Sequence, residues 1–153
     1  MIRLKTSVLL AAALKIGAVL GGASEKDAQL LYDFGIKMGL AFQLQDDFLD
    51  VYGDPAVFGK KIGGDILCNK KTFMLITALS LAEGEDKETL LNWLRATDYV
   101  AEEKIQSVTA LYNKVGVPEL CQARIDAYYK EGLELLDKVN VESSLKEELK
   151  KFV

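Results

Sequence analysis

Apolar side chains recur at steps of three and four residues through most of this 153-residue chain, the spacing of one face of an α-helix. The pattern predicts helices over residues 3–20, 24–52, 70–81, 86–96, 99–116 and 118–139, with a short last helix ending near residue 152. A glycine pair and two prolines lie at the ends of these segments, as is typical of helix boundaries. We therefore expect an all-α fold, a helical bundle in which residues 1–153 form a single domain.

The second predicted helix differs from the others because it combines carboxylates with an apolar surround in the stretch GLAFQLQDDFLD, residues 39–50. Gln43, Asp46 and Asp50 recur at steps of three and four and share one stripe, with Asp47 beside it. Apolar residues cover the rest of the circumference, a pattern typical of a buried helix. Buried carboxylates need a compensating cation or donor. The stretch predicts a site for a hard divalent ion with phosphate and water as further ligands, although a lone DDxxD also suits a helix start or a solvated face.

Residues 58–71, FGKKIGGDILCNKK, contain three glycines and four lysines and follow neither the helical nor the strand period. We interpret most of this segment as a loop and, because it follows an acidic helix, as a possible anion-binding lid that orders with its ligand. A solvated surface loop is the alternative. No GxxxxGK[ST] motif is present, and an EF-hand counted from Asp46 has Val51 where glycine is required.

The amino-acid composition excludes or disfavours several classes of function. The net charge of −4 does not favour nucleic-acid binding, and a chain without histidine has no histidine base, Ser-His-Asp triad or histidine metal site. Cys68 and Cys121 lack the spacing of a zinc site, so we expect free thiols in a reducing, cytoplasmic environment.

The N-terminal stretch MIRLKTSVLLAAAL has the charge and apolar pattern of a secretory signal, but Lys15 interrupts it and an amphipathic helix fits as well. No apolar run approaches the ~20 residues that cross a bilayer, so we expect no stable membrane insertion.

Taken in order, the motifs GLAFQLQDDFLDVYGDP, GK, GGDI and NKKT resemble the second aspartate-rich motif and lysine loop of the trans-isoprenyl diphosphate synthases, or polyprenyl synthetases. The Lys5-Thr6 pair resembles the KT pair of the same family. The resemblance implies a helical bundle of the isoprenoid synthase type, usually a homodimer, with Mg²⁺ as cofactor. It further implies a prenyltransferase that condenses isopentenyl diphosphate with an allylic prenyl diphosphate by Mg²⁺-assisted ionisation.

The resemblance also implies three groups of site residues. The metal-binding group consists of Asp46, Asp47 and Asp50, of which Asp46 coordinates the ion directly. The substrate-binding group consists of Lys60, Lys70 and Asp65, the last acting through the hydrated metal. The catalytic group, on the face where the allylic cation develops, consists of Lys5, Thr6 and Gln43.

Two departures from the family pattern limit these expectations. Members of the family are much longer and carry a first DDxxD that this sequence lacks, so the resemblance covers a C-terminal half that we expect to be inactive alone. The Lys60-Lys61 pair replaces a single loop lysine, which leaves open which of the two meets phosphate. A terpene cyclase-like protein and a non-catalytic subunit of a heteromeric prenyl synthase are the alternative functions.

Overall fold

The computed structural model describes residues 6–59 and 62–151, and its regular structure in these ranges is entirely helical. The helices are α1 (Val8–Leu20), α2 (Glu25–Tyr52), α3 (Pro55–Phe58), α4 (Gly64–Leu67), α5 (Phe73–Leu81), α6 (Gly84–Arg95), α7 (Ala101–Lys114), α8 (Val117–Asp137) and α9 (Ser143–Lys150). The all-α prediction is confirmed. No helix within the described ranges combines the length and the apolar character needed to cross a membrane.

Local chemistry sets several of the helix boundaries. The Ser24 hydroxyl accepts the Asp27 N–H at 3.1 Å where α2 begins. Asp54 caps α3 by accepting the Ala56 N–H at 2.8 Å, and Thr72 caps α5 in the same way. These side chains satisfy backbone donors that have no partner inside the helix, which explains why the helices begin there.

The loop predicted over residues 58–71 is interrupted by the single-turn helix α4. Gly63 precedes it with φ 85°, and Asn69 follows it with φ 52°, so both lie in the left-handed region that most residues avoid. A helix of four residues is too short to display a hydrophobic period, which is why the sequence did not reveal it.

The contacts within the chain divide it into two compact units. The first unit contains the residues up to Gln43 and those from Arg124 onward, and the second unit contains Leu44–Ala123. In the first unit, Phe34 and Met38 of α2 pack against Leu136 of α8 and Val139, forming a buried apolar cluster.

Helices α1 and α2 of the first unit approach each other closely. A Cβ atom added to Gly39 would lie 2.6 Å from the Ser7 Cα, and one added to Gly35 would lie 2.6 Å from the Ala11 Cα. Since neither distance leaves room for a side chain, glycine at both positions allows the two backbones to come together.

The apolar surround of residues 39–50 does not produce a helix that is buried on every side. Leu44 is 1% exposed, but Phe42 is 67% exposed. An apolar sequence pattern indicates which faces can be buried, but it does not show which of them the remaining elements of the chain cover.

In the second unit, α7 packs against α4, α5 and α6. The apolar residues buried there include Ile66, Met74, Leu75, Ala78, Leu90 and Val108. The buried side chains of the same unit also include the carboxylate of Asp47 and the ammonium of Lys104.

Candidate active site

An ammonium group shared by two carboxylates forms the centre of the candidate site in the second unit. Lys70 Nζ, in the turn between α4 and α5, donates to Asp47 Oδ1 at 2.9 Å and to Asp65 Oδ2 at 2.6 Å. The Asp47 side chain on α2 is only 2% exposed, whereas that of Lys70 is 31% exposed. The lysine therefore compensates a buried carboxylate and still reaches solvent.

Burial alone lowers the pKa of Lys70, but the hydrogen bonds to Asp47 and Asp65 outweigh it and raise that pKa above its usual value. Lys70 therefore carries its positive charge throughout the neutral range. An ammonium group has three N–H donors, and these two contacts use two of them.

Asp50 connects the last turn of α2 to the start of α4. Its Oδ2 accepts the Asp65 N–H at 2.8 Å, and its backbone carbonyl accepts the Gly63 N–H at 2.6 Å. Burial raises the pKa of Asp50, the Asp65 N–H lowers it, and the charge of the Asp65 carboxylate raises it further, leaving a net increase. A Cβ on Gly63 would meet Ile105 at 2.6 Å, so the turn that brings Asp65 to Asp50 depends on glycine.

Asp46 is half-buried and has no hydrogen bond or ion pair with any residue in the described ranges. It is thus the aspartate of DDxxD whose carboxylate is most available to a cation. The described residues include no cluster of three or more acidic, cysteine or histidine side chains able to hold a metal ion. A site with one available carboxylate, that of Asp46, fits Mg²⁺, because this ion commonly takes one or two carboxylates and completes its shell with phosphate oxygens and water.

The candidate catalytic group lies in the first unit as far as it is described. The Thr6 hydroxyl donates to Gln43 Oε1 at 3.2 Å, and both side chains are half-buried. Residues 6–7 form a π-helical turn before α1, a feature that often accompanies functional positions. Lys5 and Lys60 lie outside the described residues.

Sequence reasoning did not identify two polar residues beside the candidate site. Lys104, fully buried on α7, donates from Nζ to Asn69 Oδ1 at 2.8 Å. In the sequence, Asn69 was noted only as the first residue of the NKKT motif. Lys104 lies on an ordinary amphipathic helix, where nothing in the sequence distinguishes a buried lysine from an exposed one.

Comparisons with known proteins identify the family of this chain. The sequence model of the polyprenyl synthetase family matches residues 1–113. A short chain isoprenyl diphosphate synthase from Methanothermobacter thermautotrophicus is 37% identical over 148 residues, covering 95% of this chain and 45% of that protein. A geranylgeranyl diphosphate synthase from Sulfolobus acidocaldarius is 32% identical over 145 residues, covering 95% of this chain and 43% of that protein.

Solved structures show the same similarity. A geranylgeranyl pyrophosphate synthase structure superposes with a TM-score of 0.89 at 36% identity, covering 99% of this chain and 47% of that one. A geranylgeranyl pyrophosphate synthase from Corynebacterium glutamicum, complexed with isoprenyl diphosphate and magnesium, has a TM-score of 0.84 at 32% identity, covering 96% and 42%. The chain belongs to the polyprenyl synthetase family and spans less than half the length of the curated relatives described above.

Proposed function

We propose that this chain forms the part of a trans-prenyltransferase that binds an allylic prenyl diphosphate together with Mg²⁺ for condensation with isopentenyl diphosphate. The observation that carries the proposal is the Lys70 ammonium, which is held by Asp47 and Asp65 and, among the described residues, retains one N–H donor for an oxyanion. Membership of the polyprenyl synthetase family supports the same chemistry.

Ionisation breaks the bond between the allylic carbon and the diphosphate oxygen, and both electrons leave with the diphosphate. Lys70, assisted by Lys60, stabilises the negative charge that develops on the departing oxygens. Asp46 would hold Mg²⁺, with Asp47, Asp50 and Asp65 orienting the ion and its waters. The ion would supply further positive charge at the leaving group.

The remaining site residues would act on the carbon side of the reaction. Because the Thr6 hydroxyl donates its hydrogen bond to Gln43 Oε1, its oxygen can present lone pairs to a developing carbocation. Lys5 would line the same face. The proton that is lost after the new carbon–carbon bond forms would pass to the departed diphosphate.

The wider setting of the reaction is part of the proposal. The complete enzyme would be a cytoplasmic homodimer, in keeping with the free thiols of Cys68 and Cys121. The 153-residue chain alone would not turn over, because its sequence contains a single DDxxD and it spans less than half the length of its relatives. Robust condensation by the purified chain would contradict this part of the proposal.

Titration calorimetry with inorganic diphosphate, with and without Mg²⁺, tests the site itself. We expect measurable binding only with both ligands, because diphosphate alone meets the repulsion of the aspartates. Asp46→Asn should weaken Mg²⁺-dependent binding by about tenfold or more, or at least ~1.4 kcal/mol. Asp86→Asn, which neutralises an aspartate that pairs with the exposed Lys114, is the control. Equal affinity in Asp46→Asn and the wild type would reject Asp46 as the metal ligand.

A further inference from the structure

We infer that Lys104 is a positioning residue that fixes the backbone at Lys70 through Asn69. The inference rests on the proposed role of Lys70 as a diphosphate ligand. It assigns a function to a buried cation that has no contact with Asp46, Asp47 or Asp50 among the described hydrogen bonds and ion pairs.

The burial of Lys104 requires an explanation. Lys104 is 0% exposed, and no carboxylate in the described ranges forms an ion pair with it. Among the described residues, its ammonium contacts the Asn69 carboxamide oxygen at 2.8 Å and the Tyr99 ring, whose centroid lies 4.3 Å from Nζ. Because an apolar side chain of similar size would avoid the desolvation of a charge, the ammonium is best explained by what it holds in place.

Lys104 holds Asn69 in a backbone conformation that few residues adopt. Asn69 has φ 52°, and its carboxamide is bound at both ends, with Nδ2 donating to the Leu94 carbonyl at 3.1 Å and Oδ1 accepting from Lys104. A left-handed residue reverses the direction of the chain, so its side-chain contacts determine where the next residue points. The next residue is Lys70.

The surrounding contacts carry this constraint to the site. The Lys70 N–H donates to the Asp65 carbonyl at 2.9 Å, and the Thr72 N–H donates to the Lys70 carbonyl at 2.7 Å. Tyr99, which lies against the Lys104 ammonium, also donates from its hydroxyl to the Leu67 carbonyl at 3.2 Å. The turn from α4 to α5 is thus held from α7 and from the segment before it.

The groups concerned are immediate neighbours. Asp65, Asn69, Lys70 and Lys104 line one small cavity of about 10 Å³ in the second unit. The cavity therefore leaves little space to accommodate a displacement of Asn69. We expect such a displacement to move the Lys70 ammonium as well, and to disturb its contacts with Asp47 and Asp65.

Lys104→Met tests the inference, because methionine keeps most of the volume and removes the charge and the donors. Calorimetry with inorganic diphosphate and excess Mg²⁺, at a temperature where circular dichroism shows every variant folded, should give a dissociation constant raised by about tenfold. Lys114→Met is the matched control, since Lys114 lies on the same helix but is 64% exposed and pairs with Asp86. The control should bind like the wild type.

Asn69→Gly provides a second route that does not depend on removing a buried charge. Glycine adopts φ 52° easily but has no carboxamide for Lys104. We expect the same loss of affinity as in Lys104→Met, and no further loss when the two changes are combined. Additive losses, or a Lys104→Met variant that loses stability while keeping its affinity, would overturn the inference.

A ligand-free measurement separates this inference from the proposed function. If the wild type fails to bind Mg²⁺ with diphosphate, the proposed function is wrong, and amide hydrogen exchange then decides the role of Lys104. Lys104→Met should accelerate exchange at the amides of Lys70 and Thr72 relative to those of α6, and Lys114→Met should not. Unchanged exchange at both amides would overturn the inference.

Discussion

Both units contain lysine–carboxylate ion pairs, and the Lys37–Glu131 pair of the first unit differs from the Lys70–Asp47 pair of the second in the exposure of its carboxylate. The Lys37 and Lys70 side chains are both 31% exposed, but Glu131 in the first unit is 45% exposed and Asp47 in the second is 2% exposed. An ion pair with an exposed acceptor contributes little to stability, whereas a buried carboxylate depends strongly on its cation. We therefore expect the Lys70–Asp47 pair of the second unit to matter more for stability than the Lys37–Glu131 pair of the first.

The first unit is sensitive to volume instead. Its buried cluster is apolar, and its α1–α2 contact leaves no space at Gly35 or Gly39. The difference indicates that one unit is organised by close packing and the other by buried charges around a turn. A fold gains little stability from buried charges, so the Lys70 ammonium and its 2% exposed Asp47 carboxylate mark the region where function is expected.

The largest expected effect comes from removing the lysine of each ion pair. Lys70→Met should lower the free energy of unfolding by about 3 kcal/mol, because the buried Asp47 carboxylate loses its cation. Lys37→Met should lower it by less than about 1 kcal/mol, since the Glu131 carboxylate remains hydrated. Urea unfolding at pH 7 measures both. Equal losses in the two variants would remove the contrast between the units.

The next effect tests volume in the first unit. Gly39→Ala should lower the free energy of unfolding by about 2 kcal/mol, because the new methyl group meets the backbone of Ser7. Gly132→Ala is the control, since its methyl group chiefly meets the flexible end of Met38, and it should change stability by less than about 1 kcal/mol. A neutral Gly39→Ala would show that α1 can move away from α2 without loss.

The sequence predicted most of the helices because glycine, proline and capping residues punctuate a regular apolar period. Ser24 and the Gly21-Gly22 pair lie at the predicted ends of α2 and α1. The sequence did not predict α4, a single turn whose position depends on a left-handed Gly63 and on hydrogen bonds to Asp50. Long-range contacts of this kind leave no local signal.

The candidate site was predictable in its residue types but not in its pairing. DDxxD and the lysine loop identified Asp47, Asp65 and Lys70, but spacing alone could not show that one ammonium holds both carboxylates. The burial of Lys104 was not predictable either, because the same amphipathic period suits a lysine at the surface. The roles of all the site residues, Asp46 and Lys60 among them, remain predictions.

A smaller effect follows from the raised pKa of Asp50. Its pKa in the folded state lies above the ordinary value of 3.8, so the ionised carboxylate disfavours the folded state. This penalty is absent below pH 3.8 and is complete once the pH exceeds the folded-state pKa. Asp50→Asn, which can still accept the Asp65 N–H, should stabilise the ligand-free protein at pH 7 by at most about 1 kcal/mol after solvent screening.

Urea unfolding of the wild type and Asp50→Asn at pH 7 and pH 3 checks this prediction. The stabilisation should be present at pH 7 and disappear at pH 3, where Asp50 itself is protonated. A destabilised Asp50→Asn at pH 7 would mean that the turn from α2 to α4 requires the charge.

The smallest effect concerns the reactivity of the two cysteine thiols, which reports on burial in the second unit. Burial, with a further contribution from the charge of Asp47, raises the pKa of Cys121 to about 11, so at pH 8 its thiol is neutral and shielded. Cys68 is exposed. Because the thiolate is the reactive form, a disulfide reagent at pH 8 should label Cys68 in the native protein and Cys121 only after unfolding. Cys68→Ser should remove the native reaction. Equal labelling rates for both thiols would show that the interior containing Asp47 opens readily to solvent. The burial of Asp47 would then no longer distinguish the second unit from the first.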